Sequence, residues 1–181
     1  VIDYRGRFVP PSRVAILISG NPGSGKSSLT AALRRQGFQA VDADEVPGLA
    51  GWMDSTGAVV GDASLEPTPE LLATCYWGWV SERLTQVVDE LGGSGILLGI
   101  AVNQWQFIDQ FDYLVLLELD APTQLARVKS RNPLVQAQIR AGLPVFQAQM
   151  RAHGAVSIDA TRALGIVARD LVALLESHLT H

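Results

Sequence analysis

The residues best equipped for chemistry form one stretch, Gly20-Asn21-Pro22-Gly23-Ser24-Gly25-Lys26-Ser27, which fits the pattern Gly-x-x-x-x-Gly-Lys-[Ser/Thr]. Glycines at these places let a loop turn tightly enough that successive backbone N–H groups converge on a phosphate, and a helix starting at the loop's end adds its positive dipole. Lys26 would then reach toward the β- and γ-phosphates of a nucleoside triphosphate and the Ser27 hydroxyl toward Mg²⁺, with Ser28 following on the first helical turn. Lysine is scarce here, Lys26 and Lys129 being the only two in 181 residues, so a lysine where the pattern demands one is informative.

Two further sets of residues have spacing that could serve phosphate chemistry. Asp42 and Asp44 lie two apart at the end of a short apolar run. On an extended segment both carboxylates would face one site, and a cation near Asp42 would offset their repulsion. Aspartates capping a turn or helix give the same pattern. Arg127 and Arg131, four apart, share one helix face, which suits a phosphate clamp or an exposed basic turn at a helix C-terminus. The other reactive side chains offer less. Cys75 is the one cysteine, with no recognisable base beside it, and His153, His178 and His181 have no metal-ligand spacing.

The elements that must position these residues follow from pattern. Val14–Ile18, Phe38–Val41, Gly95–Val102, Asp112–Leu119 and Val156–Ile158 read as five strands, most of them continuously apolar, alternating with helices. That alternation predicts an α/β three-layer sandwich, a five-stranded parallel sheet with helices on both faces, as one domain spanning 1–181. Val1–Arg13 reads as a tail or leading element. Residues 46–68, rich in Gly, Pro and Asp, read as an irregular segment with a hairpin around Ser55-Thr56-Gly57. Thr68-Pro69-Glu70 opens a helix expected to run to Leu91, stopped by Gly92-Gly93. Asp120 caps another helix, residues 132–144 form a small lid, helices cover Val145–His153 and Ala163–Leu179, and Trp105–Phe111 is a helical link. Ligands of such sheets bind beyond the carboxyl ends of the strands, where the 20–27 loop, Asp42 with Asp44, Asn103 with Gln104, Asp120 and Asp159 all fall.

A formal net charge of −4 and pI near 5.3 argue against a nucleic-acid surface built on bulk positive charge. No run is long enough for a membrane span and no signal-peptide core is visible, so the expectation is a cytoplasmic protein without membrane or nucleic-acid partners, monomer or homodimer.

On Gly20–Ser27, Asp42-Ala43-Asp44, Arg127-x-x-x-Arg131 and Ile158-Asp159-Ala160-Thr161, the sequence resembles the small P-loop kinases, the P-loop NTPase group that holds adenylate, shikimate and gluconate kinases. It looks most like uncharacterised bacterial ATPases of that type, and the resemblance covers Val14 to about Leu175. It implies ATP as donor, held by residues 20–28, with Arg127 stacking on the base, Arg131 contacting the transferring phosphates and the loop after Asp159 lying against adenine. It also implies that Asp42 helps hold Mg²⁺ with Ser27, and that Asp44 engages the acceptor hydroxyl as base or orienter. Two departures matter: the third strand ends without the carboxylate expected there, and the phosphate-binding arginines of adenylate kinases after strands two and three are absent.

Between Gly37 and Glu82 the chain carries Asp42, Asp44, Glu45, Asp54, Asp62, Glu66, Glu70 and Glu82 with no lysine or arginine. An anionic acceptor leaving water needs charge-assisted donors, so a neutral or cationic small molecule fits better. Trp52, Tyr76, Trp77 and Trp79 could supply stacking faces, Trp52 foremost, because the other three are expected inside the long helix. The leading expectation is an ATP- and Mg²⁺-dependent kinase phosphorylating a hydroxyl of such a molecule, with Lys26, Asp44 and Arg131 as the catalytic set. The alternatives are a nucleoside-monophosphate kinase that recruits Arg83 or Arg140, and a regulatory ATPase without small-molecule transfer.

Overall fold

The computed structural model describes residues 14–91 and 95–179; the leading segment before Val14 and the expected Gly92-Gly93 helix stop lie outside them. Five parallel strands form the central sheet: β1 Ala15–Ser19, β2 Ala40–Asp42, β6 Gly95–Gly99, β7 Tyr113–Glu118 and β8 Val156–Asp159, in spatial order β2-β6-β1-β7-β8. Because both faces are covered, the strands are apolar at successive positions. Ile16, Ile18, Ile96, Leu98, Val115 and Leu117 pack with Leu29 and Leu33 of α1 (Lys26–Arg35) and Leu171 and Leu175 of α6 (Leu164–Leu179). The alternate residues Ala15, Leu17 and Leu97 face Leu84 and Val87 of α3 (Ser81–Glu90), together with Phe107 and Phe111 from the 3₁₀ turn Gln104–Gln110 and its end. Leu17 and Leu97 are fully buried, and truncating either to alanine should cost about 2–5 kcal/mol.

A second sheet, three-stranded and antiparallel, was only partly foreseen. It joins β3 Ala50–Met53, β4 Val59–Gly61 and β5 Tyr76–Trp79 in the order β4-β3-β5. The expected hairpin connects β3 to β4, its turn held by the Asp54 carboxylate, which accepts from Thr56 N (2.8 Å) and Thr56 Oγ1 (2.6 Å). The long helix expected from Thr68 to Leu91 is broken. Thr68 caps and Pro69 opens α2 as foreseen, but α2 (Pro69–Thr74) ends at Cys75, β5 intervenes, and α3 follows. The run Tyr76-Trp77-Gly78-Trp79 favours extended backbone, and pairing Trp77 with Trp52 and Gly78 with Gly51 satisfies it as no helix would.

The lid segment differs as well. Residues 132–144, expected to precede a helix, are the first half of α5 (Pro133–Ala152), opened by Asn132, whose side chain accepts from Leu134 N. Pro144 sits inside this helix and forfeits one backbone donor. The two halves differ in burial: Leu143, Phe146, Gln147 and Met150 are buried, whereas residues from Pro133 to Gly142 are exposed or half-buried. Helix α4 (Ala121–Val128) is capped by Asp120, which accepts from Thr123 N at 2.7 Å.

Candidate functional site at the carboxyl edge of the central sheet

The site begins with β1, which delivers the 20–27 loop to the N-terminus of α1. Two glycines, Gly23 and Gly25, adopt φ of +92°, a conformation L side chains rarely take, and a Cβ on Gly23 would also meet Val128 and Arg127. Lys26 is buried and its Nζ donates to Gly20 O at 2.5 Å, so the ammonium lies folded back on the loop itself. Asn21 Oδ1 and Ser24 Oγ are buried there without a hydrogen-bond partner. Left unpaired, such atoms cost free energy. The loop thus has the features of a cradle awaiting a polar ligand, with Ser27 and Ser28 exposed on the first turn of α1.

Next to it stands the end of β2. Asp42, 1% exposed, accepts from Asp44 N at 3.1 Å and so caps a 3₁₀ turn, Ala43–Glu45. Asp42 therefore does what a turn-capping aspartate does, and its charge also lies within electrostatic reach of Lys26. Burial lowers the Lys26 pKa to about 8, against the opposing pull of the Asp44 and Asp42 carboxylates, while Arg131 adds to the lowering. The Asp44 carboxyl is raised, by desolvation first and by Asp42 second, with Lys26 and Arg131 acting against the rise. Four charges from three stretches of chain, Lys26, Asp42, Asp44 and Arg131, thus share one electrostatic environment. Among the described residues no group of three or more His, Cys, Asp or Glu is gathered for a metal. Ser27 and Asp42 would offer one or two protein oxygens, the number Mg²⁺ takes while filling its shell with water and phosphate oxygens.

The two arginines part company. Arg131 is exposed in the link between α4 and α5, whose carbonyls at Lys129 and Arg131 are pinned by Gln136 Nε2. Arg127 instead ties the site together: its guanidinium donates to Gly23 O (3.1 Å), Ala160 O (2.7 Å) and Thr161 O (3.2 Å), joining the phosphate loop to the loop after β8. These bonds use the edge of the guanidinium plane. Asp159 turns its carboxylate onto Thr161 N (2.9 Å) and Oγ1 (2.6 Å), bonds that lower its pKa and order that same loop.

Asn103 and Gln104, expected at the ligand end of the third strand (β6), serve architecture instead. Asn103 accepts from Trp79 N (2.8 Å) and donates to Trp79 O (2.9 Å), fastening β5 to the central sheet. Gln104, fully buried, accepts from Ser19 Oγ at 3.1 Å, and Ser19 Oγ donates to Gly99 O at 2.7 Å, so a neutral network occupies the place where a carboxylate was expected. Arg83 is held by Glu90 (2.9 Å), Gln86 and Pro47 O, and Arg34 by Glu45 (2.9 Å) and Ala40 O. Arg140 lies on the exposed half of α5.

No protein-family model matches this sequence, and no curated protein matches it. Solved structures do. Over 91% of this chain and 94% of the other, it superposes on shikimate kinase from Acinetobacter baumannii in complex with shikimate, with TM-score 0.54 and 21% identity. The chain has the fold of the small P-loop kinases. Deoxyadenosine kinase from M. mycoides with bound dATP matches 90% of this chain and 99% of its own, with TM-score 0.52 and 14% identity. Within the P-loop kinase fold the 20–27 loop, the end of β2 and the β8–α6 loop all lie on the strand-end face where open α/β sheets bind ligands. Among the described residues, no helix is long and apolar enough to cross a membrane.

Sequence reasoning named Trp52, Trp77 and Trp79 as possible stacking faces but expected the last two inside a helix. Trp77 and Trp79 belong to a strand, and the cue was the β-favouring aromatic run with a glycine at its centre.

Proposed function

We propose that the protein is an ATP- and Mg²⁺-dependent phosphotransferase that moves the γ-phosphate to a hydroxyl of a small neutral or cationic molecule. One observation carries this reading: Asp42, Asp44 and Arg131 all lie within electrostatic reach of the buried Lys26 ammonium at the mouth of a phosphate-cradling loop. Hydroxyl phosphorylation needs a cationic cradle for the donor, a cation holder and a carboxylate for the acceptor proton, brought to one place.

In this reading the backbone of Gly20–Ser28 and Lys26 hold the phosphates, Lys26 leaving Gly20 O to do so. Arg127, kept in place by its carbonyl partners, presents its face to the base, and the loop ordered by Asp159 borders it. Ser27 and Asp42 would hold Mg²⁺, which when bound neutralises phosphate charge. Asp44 orients the acceptor hydroxyl and accepts its proton, while Arg131 offsets charge on the transferring group. The segment from Asn132 to Pro144, exposed or half-buried up to Gly142, is the lid. A neutral or cationic acceptor fits the stretch from Gly37 to Glu82, which carries eight carboxylates and no lysine or arginine.

The test is an acceptor-library screen that follows ADP release and detects the phosphorylated product by mass. ATP turnover and a product heavier by one phosphoryl group are expected with a neutral or cationic alcohol. Transfer confined to nucleoside monophosphates, or none across the library, would sink the proposal.

A further inference from the structure

The antiparallel sheet presents one face toward the end of β6. Trp79, 1% exposed, lays the ring edge that carries Nε1 against Gly99: a Cβ built there would stand 2.8 Å from Trp79 Cζ2 and 2.6 Å from the Ala43 methyl. Ala43 is the residue between Asp42 and Asp44. Strand alternation puts Trp77 on the same face as Trp79, and the register places Trp52 directly opposite Trp77. The Trp52 and Trp77 rings meet edge to face with centroids 5.6 Å apart at 77°. Both are half-buried and neither joins the buried core clusters, unlike Trp79. Trp79 Nε1 is buried with no hydrogen-bond partner. Trp79 thus stands next to the turn that carries Asp42 and Asp44, with a buried neutral donor, and Trp77 and Trp52 continue its face of the small sheet.

We infer that Trp52, Trp77 and Trp79 form the acceptor-binding wall, and that the acceptor is an uncharged nucleoside or nucleoside-shaped alcohol whose flat ring stacks on one of the crossed indoles Trp52 and Trp77 and meets the other edge-on. One of its lone pairs takes the Trp79 N–H, and its hydroxyl arm reaches Asp44. This rests on the phosphotransferase reading above. The half-buried indoles select the class: a flat ring stacks on an indole face as a sugar without one does not, and its ring nitrogen or carbonyl brings a lone pair for the orphaned N–H. A monophosphate would bring further negative charge beside the Asp42 and Asp44 carboxylates.

The experiment measures binding to the full chain saturated with a non-hydrolysable ATP analogue. Adenosine, cytidine and thymidine are the probes, with their 5′-monophosphates, shikimate and an aminocyclitol as counter-probes. At least one nucleoside should bind in the sub-millimolar range and at least tenfold more tightly than its monophosphate. It should also displace the Trp79 indole N–H resonance, assigned through Trp79→Phe. Trp77→Ala and Trp52→Ala should each weaken that nucleoside about tenfold or more while ATP-analogue affinity stays within twofold. Trp77→Phe, which keeps a ring, should restore most of the binding, and Trp79→Phe should weaken the nucleoside without lowering thermal stability as an alanine would. Failure of every nucleoside to bind, tighter binding of a monophosphate or of the aminocyclitol, or indifference to all three tryptophan variants would overturn the inference. A nucleoside that binds the wall and is never phosphorylated would instead sink the kinase reading alone. Transfer to a non-aromatic alcohol, undisturbed in Trp77→Ala, would sink the wall alone.

Discussion

The two flanks of the site are built from different material. The proposed donor flank is made of backbone: a loop bent through glycines at positive φ, a helix N-terminus, and Arg127 binding three carbonyls. The proposed acceptor flank is made of side chains: the Asp42–Asp44 pair and three tryptophans carried by a small antiparallel sheet fastened to β6 through Asn103. A phosphate chain is the same in every nucleotide, so a fixed backbone geometry can serve many proteins. An acceptor differs from protein to protein, so its contacts sit on elements that can be exchanged without disturbing the loop.

If this division holds, damage to each flank should register in a different observable. The largest effect is expected from Lys26→Ala, which should reduce phosphoryl transfer at least about a thousandfold, since the ammonium is the one buried cation at the loop. Retention of most ADP release in steady-state assays would remove the loop from the mechanism. Asp44→Asn comes next, with turnover lowered about a hundredfold or more and ATP-analogue affinity, by calorimetry, within about twofold. Equal loss of both would join the flanks rather than separate them.

The pH dependence of donor binding is smaller. The Lys26 pKa, lowered by burial to about 8, should rise again when phosphates arrive. Below about pH 8 free and bound protein both hold the proton, so affinity should be flat. Above it, only the complex does, so affinity should fall with pH by at most about tenfold per unit, with proton uptake visible in buffers of different ionisation enthalpy. Lys26→Arg, always charged, should lose this dependence. A slope of opposite sign would mean that Lys26 is not what titrates.

Gly99→Ala should leave the donor flank least affected of all. The added methyl overlaps the Ala43 methyl and the Trp79 ring, so denaturant unfolding should show a loss of about 1–3 kcal/mol while ATP-analogue affinity changes less than twofold. Unchanged stability would mean that the Trp79 ring is not packed on β6 as described.

The same division explains what could be read in advance. Gly20–Ser27 is local: eight consecutive residues, a strand before and a helix after. So are the caps at Thr68 and Asp120, each satisfied by a backbone N–H three residues on. The five apolar runs announced a sheet covered on both faces, and that is how Ile16 and Leu17 divide between the two core layers. Asn103 and Gln104 were misassigned because a polar residue after a strand looks alike whether it faces a ligand or a neighbouring backbone. Their partners, Trp79 and Ser19, lie 24 and 85 residues away.

By itself, then, the sequence determined the donor loop, the parallel sheet and the paired carboxylates after the second strand, since each is specified by residues close in the chain. Only the tertiary structure decided that Tyr76–Trp79 is a strand rather than a helix. An aromatic run leans toward extended backbone, but a strand forms only where a distant edge such as Ala50–Met53 is there to pair with it. It likewise decided that Arg131 shares a field with Lys26 and Asp44 while Arg127, one helical turn earlier, is spent on carbonyls. Spacing places two side chains on one face of a helix, but only the packing of the chain determines what that face meets.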